Sequence, residues 1–260
     1  MVQILTNETF EITIYKVKLR KAGVYKMENL KWITVKSPEE GAKEVYKIIE
    51  EELRNNRLNV LGLATGSTMI PVYQEWTNSN LDFSQVTAFN LDEYVGIDAN
   101  NPNSYAYFMK QHLFNKKPFK ETHIPNGMAE DLDKECQNYE QQLNANPLDI
   151  QLLGVGENGH IAFNEPGTSP DSVTHVATLT DSTLGVNSQY FENDEKIPNT
   201  ALTMGISSIM KSKKLIMVAF GEKKRAAMEK LKQGEVTPDW PITKLLRHED
   251  VVVITDLQID

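Results

Sequence analysis

The chain has 260 residues, with 27 Lys and Arg against 36 Asp and Glu, a formal net charge of −9. That balance argues against a nucleic-acid binder, which needs clustered Lys and Arg to displace counterions from phosphates. With 40% hydrophobic and 24% charged residues, no apolar run long enough to span a bilayer, and a single cysteine, Cys136, the composition fits a globular protein of a reducing compartment such as the cytoplasm.

Residues 1–26 stand apart. They carry five basic residues and two acidic ones, Glu8 and Glu11, and no continuous apolar stretch of a secretory signal. Ala22-Gly23-Val24 can be encoded by GCA-GGA-GTN, which contains the ribosome-binding sequence AGGAG about eight nucleotides before the Met27 codon. The expectation is a start at Met27 with a non-native leader before it, the alternative being a genuine N-terminal arm. Residues 27–260 then read as one domain, without repeats, low-complexity tracts or linkers.

From Lys31 onward strands and helices alternate. A strand over Lys31–Lys36 precedes a helix that opens at Ser37-Pro38, with Glu40 completing a capping box and Ala42, Val45, Tyr46, Ile49 and Leu53 at helical spacing. Next come a strand over Asn59–Leu63, a helix near Met69–Trp76, a strand over Val86–Leu91, and helices near Ser104–Phe114 and Asp131–Leu143. Strands over Ile150–Val155 and Leu215–Phe220, a helix over Lys223–Gln233 and a strand over Val251–Thr255 complete the series. Nearly all-apolar strands separated by helices predict an α/β, Rossmann-like three-layer domain around a mainly parallel central sheet.

Polar residues collect after the strands: Ala64-Thr65-Gly66-Ser67-Thr68, Asn90-Leu91-Asp92-Glu93-Tyr94, Gly156-Glu157-Asn158-Gly159-His160 running to Gly167, and Gly221-Glu222-Lys223-Lys224. Ligands of open parallel sheets bind beyond the carboxyl ends of the strands, so these segments mark the expected site. Thr65-Gly66-Ser67-Thr68 opens a helix and suits a phosphate, or is a plain N-cap turn; it lacks the P-loop spacing. Lys224 on another first turn adds a charge to the same anion, or is solvated surface.

Gly154-x-Gly156-x-x-Gly159 matches the dinucleotide fingerprint, but Pro166-Gly167 ends any helix that follows, so the NAD reading is rejected. The glycines are expected to fold a loop tightly around His160. His160 beside Glu165 suits proton transfer near neutral pH, with Asp92 acting on a different atom; a backbone-bonded loop histidine and a turn aspartate are the bland alternatives. His160-x4-Glu165 is not a recurring metal-ligand spacing, and Ser67 lacks a nucleophile elbow.

Leu61-Gly-Leu-Ala-Thr-Gly-Ser-Thr68, Phe89-Asn-Leu-Asp-Glu-Tyr-Val-Gly96, Gly154-Val-Gly-Glu-Asn-Gly-His-Ile-Ala-Phe-Asn-Glu-Pro-Gly167, Asn187-Ser188, Ala201-Leu-Thr-Met-Gly205 and Phe220-Gly-Glu-Lys-Lys224 resemble, in order, the isomerising glucosamine-6-phosphate deaminases. The related 6-phosphogluconolactonases share the fold but lack the Asn-Glu-Pro after the loop histidine. The resemblance implies conversion of glucosamine 6-phosphate and water to fructose 6-phosphate and ammonia, with no metal or redox cofactor. It implies Asp92 as the base moving a proton between C2 and C1, and His160 with Glu165 and Asn158 as the ring-opening group. It places the phosphate on Thr65, Gly66, Ser67, Thr68 and Lys224. Galactosamine 6-phosphate is an alternative substrate; a lactone hydrolase and a non-catalytic sugar-phosphate sensor are the alternative functions.

Two departures bear on the resemblance. Gln189 stands where many members have a phosphate-binding arginine, with Lys223 or Arg225 as possible replacements. His175 and Ala177 align with basic positions that bind an allosteric activator in hexameric members. The expectation is therefore a monomer or small homo-oligomer without activation by N-acetylglucosamine 6-phosphate.

Overall fold

A computed structural model describes residues 30–187, 191 and 197–259. The leader expected over residues 1–26 and the Gln189 departure lie outside the described residues. The first strand, β1 (Leu30–Thr34), leads into helix α1 (Pro38–Arg54), where Ser37 Oγ accepts from Glu40 N at 3.3 Å and Glu40 reaches back to Lys36 N at 2.8 Å. The expected capping box is thus present, with its return bond one residue further out.

Strand β2 (Val60–Leu63), a 3₁₀ turn (Ser67–Met69), helix α2 (Ile70–Thr77) and strand β3 (Thr87–Asn90) follow. Then come the three-residue strand β4 (Asp92–Tyr94), helix α3 (Tyr105–Met109), a π-helical turn (Lys110–Phe114), β5 (Glu121–His123), α4 (Leu132–Ala145) and β6 (Ile150–Leu153). The helix expected over Ser104–Phe114 starts at its Ser104 cap, whose Oγ accepts from Tyr107 N at 2.9 Å, but widens to π geometry after Met109.

The last part holds β7 (His175–Thr178), α5 (Asp181–Asn187), β8 (Thr200–Thr203), α6 (Ile206–Met210), β9 (Lys214–Ala219), a 3₁₀ turn (Glu222–Lys224), α7 (Arg225–Lys232), a 3₁₀ segment (Pro241–Arg247) and β10 (Val251–Thr255).

Seven strands form one wholly parallel sheet in the order β1-β10-β9-β6-β2-β3-β5. Every residue of β3, β6 and β10 is buried, as strands covered on both faces require. On one side α1 packs on α2 and α2 on the π-turn; elsewhere the Pro241–Arg247 segment packs on α6 and α7. The chain runs outward from β2 through β3 to β5, then returns to β6 and proceeds the other way through β9 and β10. The topological switch therefore lies between β2 and β6, where open α/β sheets bind ligands.

A second, antiparallel sheet, β4-β8-β7, was not foreseen in the sequence. Leu91 joins it to the first: its N–H bonds Leu63 O at 3.0 Å, and its carbonyl accepts from Met204 N at 2.7 Å. The small sheet lifts Asp92 off the end of β3 and sets it in register with Thr203.

Candidate active site

A cavity of about 420 Å³ opens at the switch point. Thr65, Gly66, Ser67 and Thr68 line it from the end of β2, Asp92 from β4, Asn158 and His160 from the loop after β6, and Lys224 from the turn after β9. Four segments far apart in sequence thus meet. Glu165 does not line the cavity; it sits behind His160.

Gly66 adopts φ +97°, a conformation that only glycine enters at no cost, and the next three residues form a 3₁₀ turn. Gly221 repeats this arrangement with φ +84° before Glu222–Lys224 and α7. Two glycine-opened helices therefore flank β6, one after each neighbouring strand. Lys224 is the one Lys or Arg among the described lining residues. Burial draws its pKa down, while Glu157 opposes that shift and Lys223 adds to it. Lys223 itself pairs with Glu157 at 3.5 Å, and Arg225 with Glu222. Neither is among the residues that line the cavity.

The glycine loop after β6 opens no helix, in keeping with rejection of the dinucleotide reading. Gly156 N–H donates to His160 O at 2.9 Å, and a Cβ on Gly156 would fall 2.2 Å from His160 Cε1. The imidazole packs on bare backbone, which only glycine allows. Beyond it Ala162 is held at φ +50°. Asn164 Nδ2 donates to Ile161 O and Met204 O, and Phe163 N to Thr203 Oγ1, tying the loop to the end of β8.

His160 Nδ1 lies 3.5 Å from Glu165 Oε2. Asn158 Nδ2 donates to that same oxygen at 2.8 Å, and Asn158 Oδ1 accepts from His160 N at 3.1 Å. Thr183 Oγ1 donates to Glu165 Oε1 at 2.5 Å. Burial pushes the Glu165 carboxyl up, but the hydrogen bonds from His160 and Thr183, the His160 charge and the Asn158 bond together hold it down at about 2. Glu165 is a fixed anion behind the histidine.

Asp92 is the opposite case. It is 6% exposed, and among the described residues no donor reaches its carboxyl. Burial first, then the neighbouring Glu93 charge, raises its pKa well above the ordinary range. Glu93 is also raised by burial, only partly offset by bonds from Tyr105 N, Ala106 N and Tyr94 N. Those bonds place its carboxylate at the start of α3. Tyr94, Tyr105 and Phe163 form an aromatic wall, with Tyr105 donating to the Tyr94 hydroxyl at 3.3 Å. Burial, Tyr94 and Asp92 keep the Tyr105 phenol protonated. Glu93, Tyr105 and Thr183 were not singled out in the sequence. Glu93 adjoins Asp92 and was open to recognition; Thr183 carries no motif.

A parallel sheet with a glycine turn opening a helix, a carboxylate-backed histidine and a separate buried carboxyl at its switch point defines a class of α/β proteins whose ligand site lies beyond the strand ends. The chain belongs to the family of glucosamine-6-phosphate isomerases/6-phosphogluconolactonase, which it matches over residues 36–254. It is 53% identical over 224 residues to a glucosamine-6-phosphate deaminase of Enterococcus faecalis, covering 86% of this chain and 96% of that one. A deaminase of the same name from Lactobacillus johnsonii is 50% identical over 227 residues, covering 87% and 95%. Among solved structures, a monomeric glucosamine-6-phosphate deaminase superposes with a TM-score of 0.84 at 40% identity, covering 86% of this chain and 96% of that one. A 6-phosphogluconolactonase from Thermotoga maritima shares the fold, with a TM-score of 0.69 at 18% identity over 87% and 98% of the two chains.

Proposed function

We propose that this chain converts glucosamine 6-phosphate and water to fructose 6-phosphate and ammonia, a hydrolytic C–N cleavage coupled to aldose–ketose isomerisation. The observation that carries it is the meeting, in one cavity, of a buried Asp92 carboxyl that no donor reaches among the described residues, a Glu165-backed His160 and the Gly66 turn. N–H groups of that turn and the Lys224 ammonium receive the phosphate. His160 moves a proton between the O1 hydroxyl and the ring oxygen, opening the sugar, while Glu165 and Asn158 orient it. Asp92 takes the proton from C2 and returns it to C1. A raised pKa makes it the stronger base for so weak an acid. The resulting 2-imine adds water, and ammonia leaves from C2.

The same reading is of a cytoplasmic enzyme that is a monomer or small homo-oligomer, supported for the monomer by the solved 40%-identical relative, itself a monomeric deaminase. His175 and Ala177 lie on β7 of the small sheet, outside the cavity lining, and supply no permanent charge. N-acetylglucosamine 6-phosphate is accordingly expected to leave the substrate half-saturation unchanged.

Coupled ammonia assays on glucosamine 6-phosphate and galactosamine 6-phosphate, beside hydrolysis of 6-phosphogluconolactone, test the proposal. Ammonia from the gluco epimer is the expected result. Absence of ammonia, or turnover of the lactone alone, would overturn it. Asp92→Asn and His160→Gln should each lower kcat by about 10²–10⁴-fold, the usual scale for a general base or acid.

A further inference from the structure

We infer that Thr183 is a positioning residue that fixes the tautomer of His160, an inference that rests on the ring-opening role given to His160 above. The argument is one of hydrogen-bond capacity. A threonine hydroxyl has one proton to donate and two lone pairs to accept with. Here the proton goes to Glu165 Oε1 at 2.5 Å, and one lone pair accepts from Thr180 Oγ1 at 3.2 Å. His160 Nδ1 lies 3.5 Å from the same Thr183 oxygen and 3.5 Å from Glu165 Oε2.

Both groups facing Nδ1 are therefore acceptors. Glu165 is a carboxylate, and Thr183 has already committed its hydrogen. Nδ1 must carry the proton in neutral His160, and Nε2, which has no partner among the described residues, is left with a free lone pair. That is the form a ring-opening base requires. Asn158 Nδ2 occupies Glu165 Oε2 from the other side, so the carboxylate is bonded at both oxygens and cannot rotate away.

Thr183 is 4% exposed and stands in the first turn of α5, which follows β7 directly. Thr180 N also donates to Glu165 Oε1 at 3.4 Å, so the start of this helix is seated on the carboxylate. The small antiparallel sheet thus holds Asp92 on β4 and, through β7, leads into the helix that carries the Thr183 hydroxyl.

Thr183→Val removes the hydroxyl at nearly constant volume, and Thr183→Ser keeps it. The two variants and the wild type would be compared in turnover of glucosamine 6-phosphate and its C2-deuterated form, and by ¹⁵N NMR of the imidazoles, with the His160 signals assigned against His160→Gln. For Thr183→Val, kcat should fall about tenfold with KM within about twofold. The deuterium effect should shrink as ring opening becomes limiting, and the His160 nitrogens should shift from the Nδ1–H pattern toward a mixture. Thr183→Ser should restore all three.

Unchanged kcat and unchanged His160 signals in Thr183→Val would overturn the inference. So would a serine variant as poor as valine, which would make the role one of methyl packing. Wild-type protein that releases no ammonia would sink the proposed function instead, and the NMR comparison would still judge Thr183 on its own.

Discussion

Asp92 and Glu165 are two buried carboxyls that the fold treats in opposite ways, and stability should report the difference. Asp92 has its pKa raised by burial and by Glu93. Its ionised form is disfavoured in the folded state, so the fold is penalised once pH rises through the folded pKa, and the penalty is absent below the unfolded value of about 4. Asp92→Asn should lower kcat by about 10²–10⁴-fold yet raise Tm at pH 7, with the gain disappearing near pH 3.5. Glu165 is held at about 2. Its contribution is present above the unfolded pKa, about 3 kcal/mol at neutral pH, and is lost as pH falls toward 2. Glu165→Gln should therefore lower Tm at pH 7, and the wild-type and variant curves should converge in acid. Thermal melts of both variants at pH 7 and 3.5 decide this; the same direction of change in the two would refute the assignment of roles. Activity should show a matching signature. In the proposed role Asp92 must be ionised to take the C2 proton, so the acid limb of kcat/KM should lie above the ordinary carboxylate range. Glu93→Gln should move it to lower pH.

The elements that bring these residues together differ in how clearly the sequence announces them. Gly156→Ala is the sharpest probe of the His160 loop, because the new Cβ would meet the imidazole at 2.2 Å and move it. A displacement on the order of 1 Å costs about 10²-fold in turnover, so kcat should collapse while far-ultraviolet circular dichroism stays native. Retained kcat would show that the loop absorbs the methyl elsewhere. Gly66→Ala should act differently. Nothing lies within 4 Å of a Cβ there, but φ +97° is closed to alanine, so the turn distorts and KM rises more than kcat falls. Both glycines were legible as turn residues in the sequence. The long strands were legible too, since apolar runs such as Val251–Thr255 are buried on both faces and show it. The small sheet was not. Its strands are three or four residues long, carry Asp92, Glu93, His175, Thr200 and Thr203, and pair residues as distant as Asp92 and Thr203. A strand so short, stabilised by partners a hundred residues away, leaves no alternation to read. Thr183 stayed hidden for the same reason: its link to Glu165 exists only once β7 has delivered α5 to the site.

For the whole molecule the question is how a chain of net charge −9 captures a doubly negative sugar phosphate. Most of the acidity lies after residue 26, where 22 basic residues face 34 acidic ones, so the long-range field repels the ligand. On the proposed placement of the phosphate, attraction is short-ranged, from N–H groups at the Gly66 turn and from Lys224, whose neighbours Lys223 and Arg225 pair with Glu157 and Glu222. Salt separates the two ranges. The Debye length falls from about 30 Å at 0.01 M to about 8 Å at 0.15 M, which screens the distant acidic surface while leaving contacts inside the cavity almost untouched. Raising ionic strength over that interval should leave kcat/KM flat or increase it, where an enzyme that steers its substrate by net charge loses rate. Lys224→Gln should raise KM about 10- to 100-fold at both salt concentrations, the scale of one charge-assisted bond of about 1.5–3 kcal/mol. A steep fall of wild-type kcat/KM with salt, or a Lys224→Gln enzyme with unchanged KM, would mean that the phosphate is held by residues other than these.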